Sequence, residues 1–180
     1  LFSEQFVTVV PPQMTQEHMQ FGGTADAVYQ SLNLMNMHRP DLVAVFGADH
    51  IYRMDVRQMV RFHCEQKADA SVAAIPVPLD QASGFGIIET DAGGRITGFQ
   101  EKPEQATPMP GDPQRAYASM GNYLFGADLL RTALEEAHQR GETDFGQHVL
   151  PRLSQSHRVY AYNFATNVVP GTKPYEEPGY

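Results

Sequence analysis

"LVAVFGADHIY", residues 42–52, decides how this chain is read. Leu42 to Gly47 form an apolar run closed by glycine, the pattern of a buried β-strand. Asp49 follows two residues later, with His50 beside it. A bare carboxylate at the end of an apolar strand is costly unless something pairs with it. A metal ion, a helix cap or a solvated surface loop would each meet that cost. The stretch alone leaves all three open.

Working outward, "FVTVV" (residues 6–10) reads as a short β-branched strand stopped by Pro11 and Pro12. "GGTADAVYQSLNLMNMH" (residues 22–38) changes period. Val28, Leu32 and Met35 fall at i, i+4 and i+7, which predicts one amphipathic helix. Thr24 is its expected N-cap, and Asp26 suits the first turn, where the helix dipole favours an acid. Downstream, Asp55 is placed to cap a helix carrying Val56, Met59, Val60 and His63 on one face. "SVAAIPVP" (residues 71–78) is a further strand. The order β-α-β-α-β implies a parallel sheet with crossover helices.

The pattern then shifts. "GIIETD" and "RITGFQEKP" flank Ala92-Gly93-Gly94, a hairpin signal. "PEQATPMPGDPQ" is a Pro-rich loop. "YASMGNYLFG" predicts another strand, residues 128–139 a helix, "FGQHVLPRLSQ" a short helix and "RVYAYNFA" a last strand. The tail after residue 166 has no periodicity. The expected class is α/β, a mixed and mostly parallel sheet with an inserted hairpin, in one domain spanning residues 1–180.

Composition narrows the function. The net charge of −8 argues against binding nucleic acid through a basic face. It leaves room for a small anionic ligand, because one lysine in a pocket outweighs distant surface charge. No apolar run approaches the length of a membrane span, and no basic, cleavable leader is visible. Cys64 is the single cysteine, which excludes an internal disulfide and fits a reducing, cytoplasmic setting. The seven histidines show no zinc spacing.

In open α/β sheets, ligands bind beyond the carboxyl ends of the strands. Asp49 lies there. "FGGTADAV" lies at a helix start, where free N–H groups favour an anion or a polar ligand edge, and Gly22-Gly23 allows close approach. An ordinary capped helix explains the same residues. In "FQEKP", Glu101 and Lys102 are neighbours on an extended segment, so one can reach a pocket while the other faces away. A charged strand edge that discourages aggregation is the alternative. "DFG" (residues 144–146) is not a kinase signature here. No Gly-rich nucleotide loop and no His-Arg-Asp loop accompany it, and Asp144 reads better as an N-cap. Met35 and Met37 read as core or interface filling.

"GGTADAV", "GADHIYRMD", "SGFGI", "EKP" and "ASMGNYLF" occur in this order across essentially the whole chain. Together they resemble the glucose-1-phosphate adenylyltransferases, the ADP-glucose pyrophosphorylases of bacterial glycogen synthesis. The resemblance implies a Rossmann-like nucleotidyltransferase catalytic domain, followed in the family by a β-helix domain. It implies ATP and glucose 1-phosphate as substrates, Mg2+ as cofactor, a homotetramer and allosteric regulation.

Position by position, Asp49 matches the family's magnesium-holding aspartate. Gly86, Glu101, Lys102 and Ser119 match contacts to glucose 1-phosphate. Gln13, Gly23, Thr24 and Asp26 match the nucleotide side. Phe21 stands where the family carries a tyrosine near the sugar phosphate, so that hydroxyl is missing. Met37 replaces an arginine that some members use in regulation. Two family segments, the Gly-rich N-terminal loop and a "WRDVGT" segment with a second metal-binding aspartate, are not matched in residues 1–180. This stretch alone is therefore expected to be inactive and poorly soluble. Uridylyl- or guanylyltransferases, and a non-catalytic regulatory subunit, are the competing readings.

Overall fold

The computed structural model describes residues 7–11, 21–47 and 53–171. The described chain forms one six-stranded mixed sheet flanked by helices. The strands are β1 (Leu42–Phe46), β2 (Ala70–Pro78), β3 (Gly86–Thr90), β4 (Ile96–Glu101), β5 (Arg115–Gly126) and β6 (Val159–Asn163). The helices are α1 (Thr24–Tyr29), α2 (Leu32–His38), α3 (Val56–Glu65), α4 (Ala127–Arg140) and α5 (Leu150–Ser156).

The sheet is open, α/β and mixed, as expected, but its neighbours differ from the β-α-β-α-β reading. β5 lies antiparallel between β1 and β2, and β2–β6 is the one parallel pair among the described strands. β1, β2, β3 and β6 nevertheless run in the same direction, because each is antiparallel to β5 or parallel to β2. Connection lengths carry no signal for a later strand inserting between two earlier ones. The hairpin of β3 and β4 forms as read from Ala92-Gly93-Gly94.

Two local expectations fail. Val7 to Val10 form no strand, and Val7 and Val9 are almost fully exposed. β-branched residues favour a pleated, half-buried surface, and no described strand offers them a ladder. The helix expected over residues 22–38 is broken after Tyr29 into α1 and α2. At the break, the Ser31 hydroxyl donates to the Ala27 carbonyl at 3.0 Å, the back-bonding that bends helices.

Elsewhere the patterns hold. Asp55 caps α3 by accepting from the Arg57 N–H at 3.1 Å. The same helix buries Met59 and His63. His63 Nδ1 shares a hydrogen bond of 2.9 Å with Ser71 Oγ, and burial pushes its pKa below the ordinary histidine value. The largest core cluster lies under α1, α4 and α5. There Phe125 and Phe145 stack at 5.6 Å between centroids, with Tyr123 tilted against both.

Candidate active site

One edge of β5 is shared by two strands. β1 pairs with residues 122–126, ending at Phe46 opposite Asn122. β3 pairs with Tyr117 and Ala118 through Ile88 and Ile87. Residues 119–121 belong to neither ladder, so a crevice opens where β1 stops and β3 starts. On the other edge β5 sets three residues, 120–122, against Ala73 alone. Gly121 takes φ +68° in this bulge, a backbone conformation that favours glycine. The two extra residues are an even number, so Ser119 and Tyr123 stay on one face of the strand.

A cavity of about 1000 Å³ fills this crevice. Its size suits a nucleotide or sugar phosphate. The end of β1 lines it through Val45, Phe46 and Gly47. The hairpin contributes Gly86, Ile87, Phe99, Gln100 and Glu101, and the bulge contributes Ser119 to Gly121. Thr24 and residues 144–147 close another side. Four sequence-predicted residues, Thr24, Gly86, Glu101 and Ser119, therefore meet on one cavity although they lie up to 95 positions apart.

Others do not line it. Phe21, Gly23, Asp26 and Lys102 are absent from its walls. Lys102 stands beside Glu101, with Nζ 3.9 Å from Oε1, and its side chain is largely exposed. It is held in the left-handed region at φ 44°, a strained backbone for a non-glycine residue, and its N–H donates to the Phe85 carbonyl at 3.1 Å. That bond ties the "EKP" strand end to the "SGFGI" strand start. Asp49 and Gln13 lie outside the described residues. Gly47, two positions before Asp49, is on the cavity wall. Among the described residues, no group of three or more His, Cys, Asp or Glu side chains is placed to hold a metal ion.

The start of α1 corrects the reading of "GGTADAV" as a turn with free N–H donors. Gly23, not Thr24, is the N-cap, with no side-chain cap. The N–H groups of Ala25 and Asp26 both donate to the Thr143 carbonyl, at 2.8 and 3.2 Å. Asp26 reaches back to accept from the Gly22 N–H at 2.8 Å. A Cβ on Gly23 would stand 2.5 Å from the Thr143 carbonyl oxygen, so glycine there serves the approach of another part of the chain. The Thr24 hydroxyl donates to Asp144 Oδ2 at 3.1 Å and accepts from the Phe145 N–H at 3.2 Å.

Sequence reasoning missed Tyr123, Asp144 and Gln147 as cavity residues. Asp144 was read as an N-cap, and it is one. Its Oδ1 accepts from the Gln147 N–H at 2.9 Å, opening a π-turn over Phe145–Val149. Its N-cap position is legible in "DFG", but its place on the cavity wall carries no local signal. Nothing local tied it to Thr24.

Comparison with known proteins shows what the chain is similar to. The nucleotidyl transferase family profile matches residues 3–168. The chain is 56% identical over 179 residues to a glucose-1-phosphate adenylyltransferase of Thermodesulfovibrio yellowstonii, covering 99% of this chain and 44% of that protein. It is 51% identical over 173 residues to the enzyme of the same name from Anaeromyxobacter sp., covering 93% of this chain and 42% of that protein. It is 48% identical over 176 residues to the one from Thermus thermophilus, again with 93% and 42% coverage. The chain thus spans less than half the length of these curated relatives. With the profile reaching across nearly its whole length, the chain belongs to the nucleotidyl transferase family.

Proposed function

We propose that the protein carrying this chain transfers the adenylyl group of ATP to glucose 1-phosphate, giving ADP-glucose and pyrophosphate, the step that commits glucose to glycogen synthesis. The observation that carries the proposal is the convergence of Thr24, Gly86, Glu101 and Ser119, the resemblance-derived residues, on one cavity at the end of β1.

An oxygen of the glucose 1-phosphate phosphate attacks the α-phosphorus of ATP in line. A new P–O bond forms, the bond from the α-phosphorus to the bridging oxygen breaks, and pyrophosphate leaves with that oxygen. Positioning and charge neutralisation carry most of the acceleration. Glu101 accepts hydrogen bonds from hexose hydroxyls. Gly86 leaves room for the ring, because its missing side chain would otherwise fill the space beside the Glu101 carboxylate, 3.3 Å from its Cβ position. Ser119 offers a hydroxyl on the same wall. Lys102 swings from the rim as a point charge on the sugar phosphate. Phe21, Gln13, Gly23 and Asp26 are assigned as substrate contacts by resemblance alone, and Thr24 by resemblance together with its place on the cavity wall.

Asp49 is proposed to hold Mg2+, which when bound neutralises charge on the phosphates. The described carboxylates make no metal site by themselves, so this assignment rests on Asp49 and on no other residue. No described helix is long and apolar enough to cross a membrane. A cytoplasmic homotetramer under allosteric control, with residues 1–180 as part of its catalytic domain, completes the proposal.

A coupled pyrophosphate-release assay on protein of the relatives' full length, comparing ATP, UTP and GTP with glucose 1-phosphate, tests the reaction. Strong preference for ATP is the expected result. Preference for UTP or GTP would reassign the base, and no turnover with any of them would favour a regulatory subunit. Asp49→Asn should cost several kcal/mol of transition-state stabilisation, close to abolishing turnover.

A further inference from the structure

The start of α1 is bound to the segment 143–147 at four points. Two backbone N–H groups of α1 converge on the Thr143 carbonyl. The Thr24 hydroxyl gives its proton to Asp144 Oδ2 and receives the Phe145 N–H. Nothing larger than hydrogen fits at Gly23 without moving the Thr143 backbone. The Ala25 and Asp26 donors of this helix start are therefore spent on the protein itself.

Asp144 has both carboxylate oxygens fixed, Oδ1 by the Gln147 N–H and Oδ2 by Thr24. Each carboxylate oxygen has a second lone pair, so the group can still accept from a ligand. It lines the same cavity as Glu101, Gly86 and Ser119. A carboxylate repels a triphosphate and suits hydroxyl donors. Beneath it, Phe145 is fully buried against Tyr123 and Phe125, so the backbone that carries Asp144 is anchored. The freedom left to Asp144 is the rotation of its side chain, which the Gln147 N–H restrains at one oxygen and the Thr24 hydroxyl at the other.

We propose that Thr24 is a positioning residue for Asp144. Its hydroxyl orients the carboxylate toward hexose hydroxyls and acts on the sugar-phosphate side of the cavity, not on the nucleotide. This inference rests on the reaction proposed above. It reverses the role that the position of Thr24 in "GGTADAV" implied.

The test uses full-length protein and steady-state kinetics with each substrate varied. Thr24→Val, which keeps shape and loses the hydroxyl, should raise KM for glucose 1-phosphate about tenfold, the scale of one charge-assisted hydrogen bond. KM for ATP should stay within about twofold, a split that general loss of structure would not give. Thr24→Ser should recover most of the loss. The double variant Thr24→Val/Asp144→Asn should be no worse for the sugar phosphate than Asp144→Asn alone, since both changes act on one group. An equal or larger change for ATP, failure of serine to recover, or full additivity would overturn the role. Should Thr24→Val not fold, Asp144→Asn decides by itself. With Thr24 intact it must weaken glucose 1-phosphate selectively, and an unchanged KM would overturn the proposal. Absence of ADP-glucose formation by the parent protein would instead sink the reaction, which keeps the two failures apart.

Discussion

Sequence rules mark a hydroxyl residue, Thr24, as the cap of α1 and an acidic one, Asp55, as the cap of α3, yet the free N–H groups of the two first turns find different acceptors. α3 caps itself. Asp55 accepts from the Arg57 N–H two residues on, and its carboxylate also takes the Arg57 guanidinium at 2.8 and 2.9 Å. α1 is capped by a distant segment, through the Thr143 carbonyl, while its own Thr24 serves Asp144, 120 residues away. The start of α3, whose Asp55 and Gln58 are also bound by Asn167 and Val168, lies outside the cavity lining. That of α1 forms part of the cavity wall. A helix start that spends its donors on another segment fixes two chain regions relative to each other, and a binding cavity between them inherits that rigidity.

Substitutions at the two starts should therefore differ in reach. The largest effect is expected at Gly23. An added Cβ meets backbone, which cannot rotate away, so Gly23→Ala should cost about 1–3 kcal/mol as an overpacking change and displace residues 143–147. Chemical denaturation measures the cost, and amide exchange should show weakened protection at both Ala25 and Phe145. Protection lost at Ala25 alone would mean that the two segments are not tied.

Asp144→Ala comes next. It removes the cap of the π-turn and one partner of Thr24, and should cost about 1 kcal/mol, as loss of an N-cap does. Retained stability would show that Thr143 alone holds the junction.

The smallest effect is expected at Asp55. The Arg57 side-chain hydrogen bond, opposed by burial, lowers the Asp55 pKa to about 2. A carboxylate with a folded pKa below its unfolded one stabilises the fold fully above the unfolded value of about 4 and loses that stabilisation as pH falls through the folded one. Asn also caps, so Asp55→Asn should change the melting temperature little at pH 7, and whatever gap exists should close between about pH 4 and pH 2. A gap that widens on acidification would contradict the ion-pair origin of the shift.

The same contrast explains what the sequence disclosed. α3, α4, the β3–β4 hairpin, β2, β5 and β6 follow from apolar period and turn residues, which act over a few positions. Asp55 and Asp144 were recognisable as caps for that reason. The insertion of β5 between β1 and β2 was not legible, because strand order depends on which edges remain after the chain has collapsed. Nor was the second task of Thr24, whose partner shares no local pattern with it. Of the cavity, Gly86, Glu101 and Ser119 were reached through resemblance and their neighbours Tyr123 and Gln147 were not, since their side chains enter the wall only through the bulge and the π-turn.

The claim that this cavity receives glucose 1-phosphate is tested most directly by filling it. Gly86 starts β3 and lies on the wall, so valine there keeps strand preference while occupying the space proposed for the hexose ring. Isothermal titration of glucose 1-phosphate into full-length protein and its Gly86→Val variant, with ATP titrated separately, reads the outcome. Glucose 1-phosphate binding weakened more than about tenfold, the scale of 1.4 kcal/mol, with ATP binding and circular dichroism unchanged, is the expected result. Unchanged glucose 1-phosphate affinity in a folded variant would place the sugar phosphate elsewhere.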